Sequence, residues 1–379
     1  MKQQQLIGFD AKRIVSNATG LGSYGRTLVN DLSRTGDFQL RLYAPHPGRD
    51  DLRGQVDKRS SVVFCYPHHT ALPFFRQAIW RSRGIVSQLR HDGVQLFHGL
   101  SGELPMGISR SGIRSVVTIH DLIFMRHPEY YHWIDTKIYA WKFRLACREA
   151  DRIIAISQCT KRDIMELGGV AEERIDLIYQ SCAPRFNSHV NDDERARVAQ
   201  RYQLPKRYVL SVGSIEERKN IGLVAEALKR LPTDIHLVAV GRATPYSERI
   251  MKQARQQQLD KRIHFLHGVP NTDLPALYAQ AEVFVYPSRY EGFGIPVIEA
   301  IYSGLPVVAC TGSCLEEAGG PDCLYVAPDD DDALAAAITQ QLAGADGREE
   351  RIRRSREYVH RFESNSVAAQ VADIYHQLL

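Results

Sequence analysis

The stretch SRYEGFGIPVIEAIYSG, residues 288–304, decides the fold of this chain. It follows the apolar run at 283–286, which has the length and composition of a buried strand. Pro296 stands where a helix would begin, and Gly304 stands where that helix would end. The stretch therefore predicts a strand, a glycine-rich turn and a short helix whose N-terminus points out of a sheet.

The turn itself has the composition of a phosphate-binding loop. Free backbone N–H groups at a helix N-terminus favour an anion, and Gly292 and Gly294, on either side of Phe293, allow a sugar phosphate to lie against the backbone. Glu291 and Glu299 flank the turn, and an acidic residue placed there can accept the paired hydroxyls of a ribose. The alternative is a surface turn with two solvated acids.

Composition indicates a globular protein of two or three domains. The 379 residues include 44% hydrophobic and 24% charged residues, and the net charge of +4 is too small to indicate nucleic-acid binding. Seven scattered cysteines suggest no disulfide framework and favour the reducing cytoplasm. The sequence shows no secretory signal and no apolar run long enough to span a membrane, so a cytoplasmic protein is expected.

Short apolar runs alternate with helical patterns along the chain, which predicts parallel sheets with crossover helices. A polar piece interrupts this alternation, so we predict an N-terminal domain at 1–183, a linker at 184–206, a second domain at 207–362 and a last helix at 363–379. The predicted strands lie at 6–9, 40–43, 62–64, 94–97, 116–119 and 153–156, and at 208–212, 235–240, 263–266, 283–286, 307–309 and 324–326. The fold class is α/β, with two Rossmann-like parallel-sheet domains and ligands at the carboxyl ends of the strands.

Arg218 and Lys219 follow the predicted strand at 208–212 and precede a helix. Cations at a helix N-terminus oppose the helix dipole, so their position is better explained if they hold a diphosphate. An ordinary basic loop is the alternative.

Two further motifs follow strands of the first domain. His120 ends the strand at 116–119 and could contact a sugar hydroxyl, or it could be structural with Asp121 as a helix cap. Gly20 and Gly22 lie in a predicted loop at 17–22 and could bring backbone N–H groups close to a donor phosphate or an acceptor, or they could form a plain turn.

Two other segments are open to a functional and a structural interpretation. The acidic run 329–332 precedes a helix, where acids need no metal to explain them, so we expect no metal site. Segment 74–90 combines Phe75, Ile79, Val86 and Leu89 with several arginines. It could pack on the core, which we favour slightly, or rest on an anionic bilayer as a peripheral contact at the inner membrane face.

Together these motifs resemble family 4 of the retaining glycosyltransferases, which have the GT-B fold of two Rossmann-like domains facing across a cleft. The resemblance covers nearly the whole chain and is strongest at 209–308. It implies that the N-terminal domain binds the acceptor, that the second domain binds the nucleotide sugar, and that the last helix crosses back to the N-terminal domain. It rests on the motifs Glu291-x7-Glu299, Arg218-Lys219-Asn220, His120-Asp121-Leu122 and Gly20-Leu21-Gly22, and on the 266–281 region.

The resemblance also implies a role for each candidate residue. Arg218 and Lys219 would neutralise the donor diphosphate, while Gly20 and Gly22 would lie near the donor. His120 would touch the sugar as a catalytic residue, together with Glu291. The remaining donor contacts would be Glu299 on the ribose, Val269 near the base, and Gly292, Phe293, Gly294 and Ile295 on the sugar. No cofactor and no divalent metal would be needed.

The implied reaction moves a sugar from a nucleotide diphosphate sugar to a hydroxyl of a glycan or lipid-linked glycan, with retention at the anomeric carbon. The segments at 120–124 and 127–131 resemble members that use GDP-mannose in bacterial surface-polysaccharide synthesis, so a mannosyltransferase is expected. The alternatives are an NDP-sugar 2-epimerase of the same fold, a non-catalytic nucleotide-sugar-binding protein and a pyridoxal-phosphate phosphorylase. The last would need a Schiff-base lysine, and Lys219 is better placed for phosphate.

Overall fold

The computed structural model describes residues 4–67, 74–363 and 365–379. The chain divides into two compact units. Unit 1 comprises Met1–Gln180 and Ser364–Leu379, and unit 2 comprises Ser181–Glu363. None of the described helices is long and apolar enough to cross a membrane.

Unit 1 is built on a sheet of seven parallel strands among its described residues, in the order β3-β2-β1-β4-β5-β6-β7. The strands are β1 Gln5–Asp10, β2 Phe38–Tyr43, β3 Val62–Cys65, β4 Leu96–Gly99, β5 Arg114–Ile119, β6 Arg152–Ala155 and β7 Ile175–Leu177. The helices are α1 Lys12–Ser16, α2 Gly20–Thr35, α3 Asp50–Arg53, α4 Phe74–Ile79, α5 Ile85–His91, α6 Ile123–Arg126, α7 Trp133–Glu149, α8 Gln158–Gly168 and, at the end of the chain, α17 Asn365–Leu378.

Helices cover both faces of this sheet, so the central strands carry near-continuous apolar residues. One face packs against α2 and α17, whose Val371 and Tyr375 are fully buried with Leu28 and Phe38. The other face packs against α5 and α7 through residues such as Leu89. The last helix of the chain is therefore a part of the core of unit 1.

Unit 2 contains a sheet of six parallel strands among its described residues, in the order β10-β9-β8-β11-β12-β13. The strands are β8 Tyr208–Val212, β9 His236–Val240, β10 Ile263–Leu266, β11 Val283–Tyr286, β12 Val307–Cys310 and β13 Leu324–Val326. The helices are α9 Asp192–Tyr202, α10 Ile221–Ala227, α11 Pro245–Gln256, α12 Leu274–Tyr278, α13 Ile295–Tyr302, α14 Leu315–Gly319, α15 Asp331–Thr339 and α16 Arg348–Val359.

The strand order of unit 2 reverses between β8 and β11. From β8 the chain adds β9 and β10 on one side, and it then returns to add β11, β12 and β13 on the other side. Val209 of β8 pairs with Val283 of β11. The loops that leave the carboxyl ends of these two strands diverge, and ligands of open parallel sheets bind in the resulting crevice.

The structure differs from the sequence expectations in three segments. The predicted linker at 184–206 contains α9, a polar helix capped by Asn191 and held in unit 2 because Arg197 and Arg201 pair with the buried Asp273. The short edge strand β7 was not predicted, because a polar residue interrupts its three-residue apolar pattern. The predicted loop at 17–22 is wrong after residue 19, because α2 already begins at Gly20.

Segment 74–90 forms α4, a π-helical turn and α5. Leu89 is fully buried and Val86 partly buried against the core, as the core-facing interpretation predicted, whereas Ile79 is exposed. The side chain of Phe75, which belongs to the same predicted face, lies outside the described residues.

Candidate functional site

The candidate site lies in unit 2, where the loops after β8 and β11 meet at the reversal of strand order. The loop after β8 ends in a 3-10 turn, Glu217–Lys219, and the loop after β11 leads into α13. A backbone hydrogen bond joins the two loops, because the N–H of Arg289 donates to the carbonyl of Arg218 at 2.9 Å. Two motifs that are far apart in sequence are thus neighbours.

Arg218, Lys219 and Glu291 form one ion cluster in this crevice. The Lys219 ammonium lies 2.5 Å from Oε1 of Glu291, and the Arg218 guanidinium lies 3.0 Å from the same oxygen. Lys219 also donates to the hydroxyl of Tyr286, at the end of β11, at 2.6 Å. Arg218 donates to the carbonyl of Tyr290 at 2.7 Å. Each cation is therefore fixed by the loop that carries the carboxylate.

Mutual attraction keeps all three groups ionised although they are buried. Burial alone would raise the pKa of Glu291, but the charges of Lys219 and Arg218 outweigh it and lower that pKa. Burial alone would lower the pKa of Lys219, but Glu291 outweighs it and the pKa is raised. Two cations share one carboxylate, so the cluster keeps an excess positive charge that suits an anionic ligand.

The glycine-rich turn from Glu291 to α13 has a backbone shape that requires glycine. Gly294 has φ of 138°, a conformation that other residues rarely adopt. The thiol of Cys314 donates to the carbonyls of Glu291 and Phe293, and these contacts hold the backbone of the turn in place. Within the described residues, no side chain caps the N-terminus of α13, and its first turn contains no acidic residue. The partial positive charge of the helix dipole at this end is therefore available to an anion.

Glu299 lies one turn into α13 and is paired with a phenol. The hydroxyl of Tyr278, at the end of α12, donates to Oε2 of Glu299 at 3.0 Å. Burial raises the pKa of Glu299 to about 7, which this hydrogen bond and Arg185 only partly oppose. The raised pKa therefore brings the titration of Glu299 close to neutral pH.

Val269 follows β10, at the same edge of the sheet, and is partly exposed. Its loop is held by the next strand, because the N–H of Gly241 donates to the carbonyl of Leu266 at 3.0 Å. This position is compatible with the predicted neighbourhood of a base, which stays a prediction.

The remaining candidate residues, His120, Gly20 and Gly22, belong to unit 1. His120 follows β5, and both of its ring nitrogens have protein partners. Nε2 donates to the carbonyl of Leu100 at 2.9 Å, and Nδ1 accepts from the side-chain amide of Gln180 at 2.8 Å. Burial lowers the pKa of His120 to about 4, so the ring is neutral at physiological pH. Its role on a sugar stays a prediction, and it would be that of a neutral imidazole.

A buried polar network lies behind His120. The ring of Tyr24 packs edge-on against His120, with 4.8 Å between ring centroids, and its hydroxyl lies 3.3 Å from that of Thr118. The Thr118 hydroxyl is 2.8 Å from Nε2 of His98, and Nδ1 of His98 is 2.6 Å from the hydroxyl of Tyr375. The last helix is thereby connected to the surroundings of His120.

The two glycines of α2 differ in how tightly they are packed. A Cβ atom on Gly22 would lie 1.9 Å from the carbonyl oxygen of Asn17, whereas a Cβ on Gly20 would meet nothing within 4 Å. Gly22 is thus required by packing at the start of α2, and Gly20 is not. A contact of either glycine with a donor stays a prediction.

The acidic run at 329–332 is used by the fold. Asp330 caps α15 by accepting a backbone N–H at 2.8 Å, and Asp329 and Asp331 pair with Arg289 and Arg230. Across the part of the chain that the structure describes, no group of three or more His, Cys, Asp or Glu side chains is arranged to hold a metal ion.

Sequence reasoning missed the partners of the charged residues. Tyr286 and Tyr278 end a strand and a helix inside apolar runs, where they have the pattern of core residues, and Cys314 has no motif at all. Only the position of Tyr286, the last residue before the loop of a predicted strand, was a usable signal.

Comparison with known proteins assigns the family. The profile "Glycosyltransferase Family 4" matches residues 18–181, and "Glycosyl transferases group 1" matches residues 192–358. The O-antigen chain mannosyltransferase B of Escherichia coli is 28% identical over 97% of this chain and 99% of its own. The GDP-mannose-dependent alpha-(1-6)-phosphatidylinositol monomannoside mannosyltransferase of Mycolicibacterium smegmatis is 27% identical over 86% of this chain and 86% of its own.

Solved structures agree with this assignment at the level of the fold. Sucrose-phosphate synthase from Thermosynechococcus elongatus superposes with a TM-score of 0.79 at 21% identity, and the match covers 99% of both chains. Two parallel-sheet units, the two family profiles and a full-length relative lead to the same conclusion. The chain is a glycosyltransferase of the GT-B fold and belongs to glycosyltransferase family 4.

Proposed function

We propose that this enzyme transfers mannose, with retention, from GDP-mannose to a hydroxyl of a glycan or lipid-linked glycan in bacterial surface-polysaccharide synthesis. The E. coli relative is named for O-antigen chains, and the mycobacterial relative is named for its dependence on GDP-mannose. The observation that carries the donor site is the ion cluster of Arg218, Lys219 and Glu291 beside the uncapped end of α13.

The cluster suggests an exchange of partners when the donor binds. The diphosphate would take over the hydrogen bonds of Arg218 and Lys219, because its charge is larger than that of one carboxylate. Glu291 would then be released to accept hydrogen bonds from hydroxyls of the donor sugar, and the backbone from Gly292 to Ile295 would border the sugar. The two cations and the end of α13 would stabilise the leaving diphosphate without a divalent metal.

We assign no covalent nucleophile. Retention follows from the family resemblance, in which attack occurs on the face of the departing phosphate. Under this proposal Glu299 accepts the ribose hydroxyls. His120 would act as a neutral imidazole because its pKa is about 4, and it would have to exchange Leu100 or Gln180 for a hydroxyl of the sugar.

The cytoplasm is the proposed location, because the spacing of the seven cysteines suggests no disulfide framework. A peripheral membrane contact through 74–90 has little support, since Ile85 and Leu89 of that segment are buried in the core.

A thermal-shift series with GDP, UDP, ADP and dTDP, with and without EDTA, tests donor binding first. We expect a shift with GDP that EDTA leaves unchanged. The variant Arg218→Ala/Lys219→Ala/Glu291→Gln removes both cations without leaving a buried unpaired carboxylate, and it should lose this shift. Lys252→Ala/Arg255→Ala, two exposed cations of α11, is the control and should keep it.

Incubation with GDP-mannose separates the candidate activities. Release of GDP that depends on a glycan acceptor, with an α-linked product, supports retaining transfer. Epimer or free nucleotide formed without any acceptor would identify a 2-epimerase, and binding without any turnover would identify a non-catalytic protein. Loss of the GDP shift in the control variant, or its survival in the triple variant, would contradict the proposed donor site.

A further inference from the structure

Helix α7 exposes a group of large apolar side chains that the proposed function does not use. Trp133 is 73% exposed, Ile134 53%, Ile138 45% and Trp141 51%. Ile134, Ile138 and Trp141 are spaced i, i+4 and i+7, so they lie along one face, and Trp133 stands at the beginning of that face. Single exposed apolar residues are ordinary, but four on two turns of one helix form a patch.

The opposite face of α7 explains why the helix is fixed in this orientation. Phe143, Ala146 and Cys147 are buried in the core of unit 1 with Leu89. Tyr139, on another side of the first turns, packs against Phe124 with 5.7 Å between ring centroids. The fold therefore uses two sides of α7 and leaves the tryptophan-bearing side to solvent.

Basic residues continue the apolar patch. Lys137 lies between Trp133 and Trp141 at i+4 spacing, and Arg144 and Arg148 extend the same side toward the end of the helix. All three are exposed. Within the described ranges, Lys137 and Arg144 make no ion pair, and Arg148 has only the distant carboxylate of Glu149 at 4.0 Å.

Nearby acidic residues do not neutralise this side. Asp135 is two residues from Trp133 and from Lys137, a spacing that places it on a different side of the helix. Glu103 accepts from Lys142 of α7 at 3.2 Å and also pairs with the largely buried side chain of Arg81. That carboxylate is thus engaged by Lys142 and Arg81.

We propose that the α7 patch, formed by Trp133, Ile134, Lys137, Ile138, Trp141, Arg144 and Arg148, docks unit 1 onto a bilayer that contains anionic phospholipids. Tryptophan suits the boundary between headgroups and acyl chains, and lysine and arginine beside it are attracted to anionic headgroups. A two-fold contact with a second copy would bring like charges together, and the cores of such interfaces are depleted of charge. The proposal does not depend on the identity of the donor.

Flotation with vesicles tests the patch on the full chain. The protein should float with phosphatidylcholine vesicles that contain about 30% phosphatidylglycerol and remain unbound with pure phosphatidylcholine. Binding should weaken as NaCl rises from about 0.05 M to about 0.5 M, because salt screens the headgroup charge. Lys137→Glu/Arg144→Glu should lower the partition coefficient at least about tenfold.

Two further variants make the result specific. Lys252→Glu/Arg255→Glu on α11 changes the net charge by the same amount at exposed positions of unit 2, and it should bind as the unaltered protein does. Trp133→Ser/Trp141→Ser should also lose binding, whereas the far-UV circular dichroism spectrum and cooperative melting should persist in every variant as evidence of folding. In a variant whose only tryptophan is Trp133, emission should move to shorter wavelength when anionic vesicles are added.

Other outcomes would overturn the proposal. These are failure of the unaltered protein to float with the anionic vesicles, or an equal loss of binding in the α11 control. A dimer in sedimentation that Trp133→Ser/Trp141→Ser converts to monomer would assign the patch to self-association instead.

Discussion

Glu299 is an acid whose charged form is disfavoured by its surroundings. Its pKa is raised to about 7 from 4.5 by burial, so the folded protein holds a proton there that the unfolded chain releases. The stabilisation from this proton is complete below pH 4.5 and is lost as pH rises through 7. We expect Glu299→Gln, which keeps the acceptor for Tyr278, to be more stable than the unaltered protein by roughly 3 kcal/mol at pH 8 and by less than about 1 kcal/mol at pH 5.

Melting curves of both proteins from pH 5 to 8 give the comparison, because groups common to the two cancel in the difference. A constant difference in melting temperature would contradict the raised pKa. The same variant tests the ribose role, because a ribose hydroxyl donates best to a carboxylate. GDP affinity of the unaltered protein should therefore rise between pH 6 and 8 more than that of Glu299→Gln, and parallel pH profiles would remove Glu299 from the ribose.

At this scale the sequence predicts which residues carry charge at the site but not how they are paired. Arg218, Lys219 and Glu291 stand out because charged residues beside a predicted strand end need an explanation. That Lys219 and Arg218 share one oxygen of Glu291 depends on β8 and β11 being neighbours in the sheet. His120 shows the same limit, because its partners Leu100 and Gln180 are distant in sequence.

At the start of α2, packing requires glycine at position 22 but not at position 20. Gly22→Ala would force a methyl group to within 1.9 Å of the carbonyl oxygen of Asn17, so the loop before α2 would have to move. We expect Gly22→Ala to destabilise unit 1 by about 1–3 kcal/mol, a typical cost of overpacking. Gly20→Ala is the matched control, because it enters open space and replaces a glycine in the first helical turn.

Urea unfolding followed by circular dichroism measures both variants. If Gly22→Ala and Gly20→Ala were equally stable, the loop at Asn17 would have moved to accommodate the methyl group without loss of stability. If Gly20 contacts the donor, Gly20→Ala should keep the stability but lose mannose transfer from GDP-mannose, whereas full activity would leave Gly20 a helix residue only.

Among the elements, the strands of unit 2 were predicted well because both faces of a parallel sheet are covered. Buried apolar runs such as 208–212 and 283–286 then coincide with the observed strands. The sequence failed to predict elements that bury only one side. The strand β7 lies at an edge and is partly polar, and α9 is a polar helix in which Val198 is buried. Composition alone makes such segments resemble linkers.

The path of the chain through the two units has a consequence for the stability of the whole molecule. Unit 2 is one continuous piece, Ser181–Glu363, whereas unit 1 is completed by Ser364–Leu379 from the other end of the chain. Val371, Ile374 and Tyr375 of α17 are buried in the core of unit 1. Burial of three such side chains contributes roughly 5–8 kcal/mol, which is comparable to the whole stability of a domain.

We therefore expect the fragment 181–363 to fold alone and the fragment 1–180 to remain unfolded or molten. The first should melt cooperatively and keep the GDP thermal shift, because the cluster of Arg218, Lys219 and Glu291 lies within it. The second would leave the sheet face under α17 open to water and the ring of His98 without the hydroxyl of Tyr375. Tyr375→Phe in the full chain removes only the hydrogen bond between Tyr375 and His98. It leaves a buried ring nitrogen unpaired, which should lower the stability of unit 1 by about 1–3 kcal/mol, while GDP binding in unit 2 persists. Cooperative melting of the fragment 1–180 would show that α17 is dispensable for the core of unit 1.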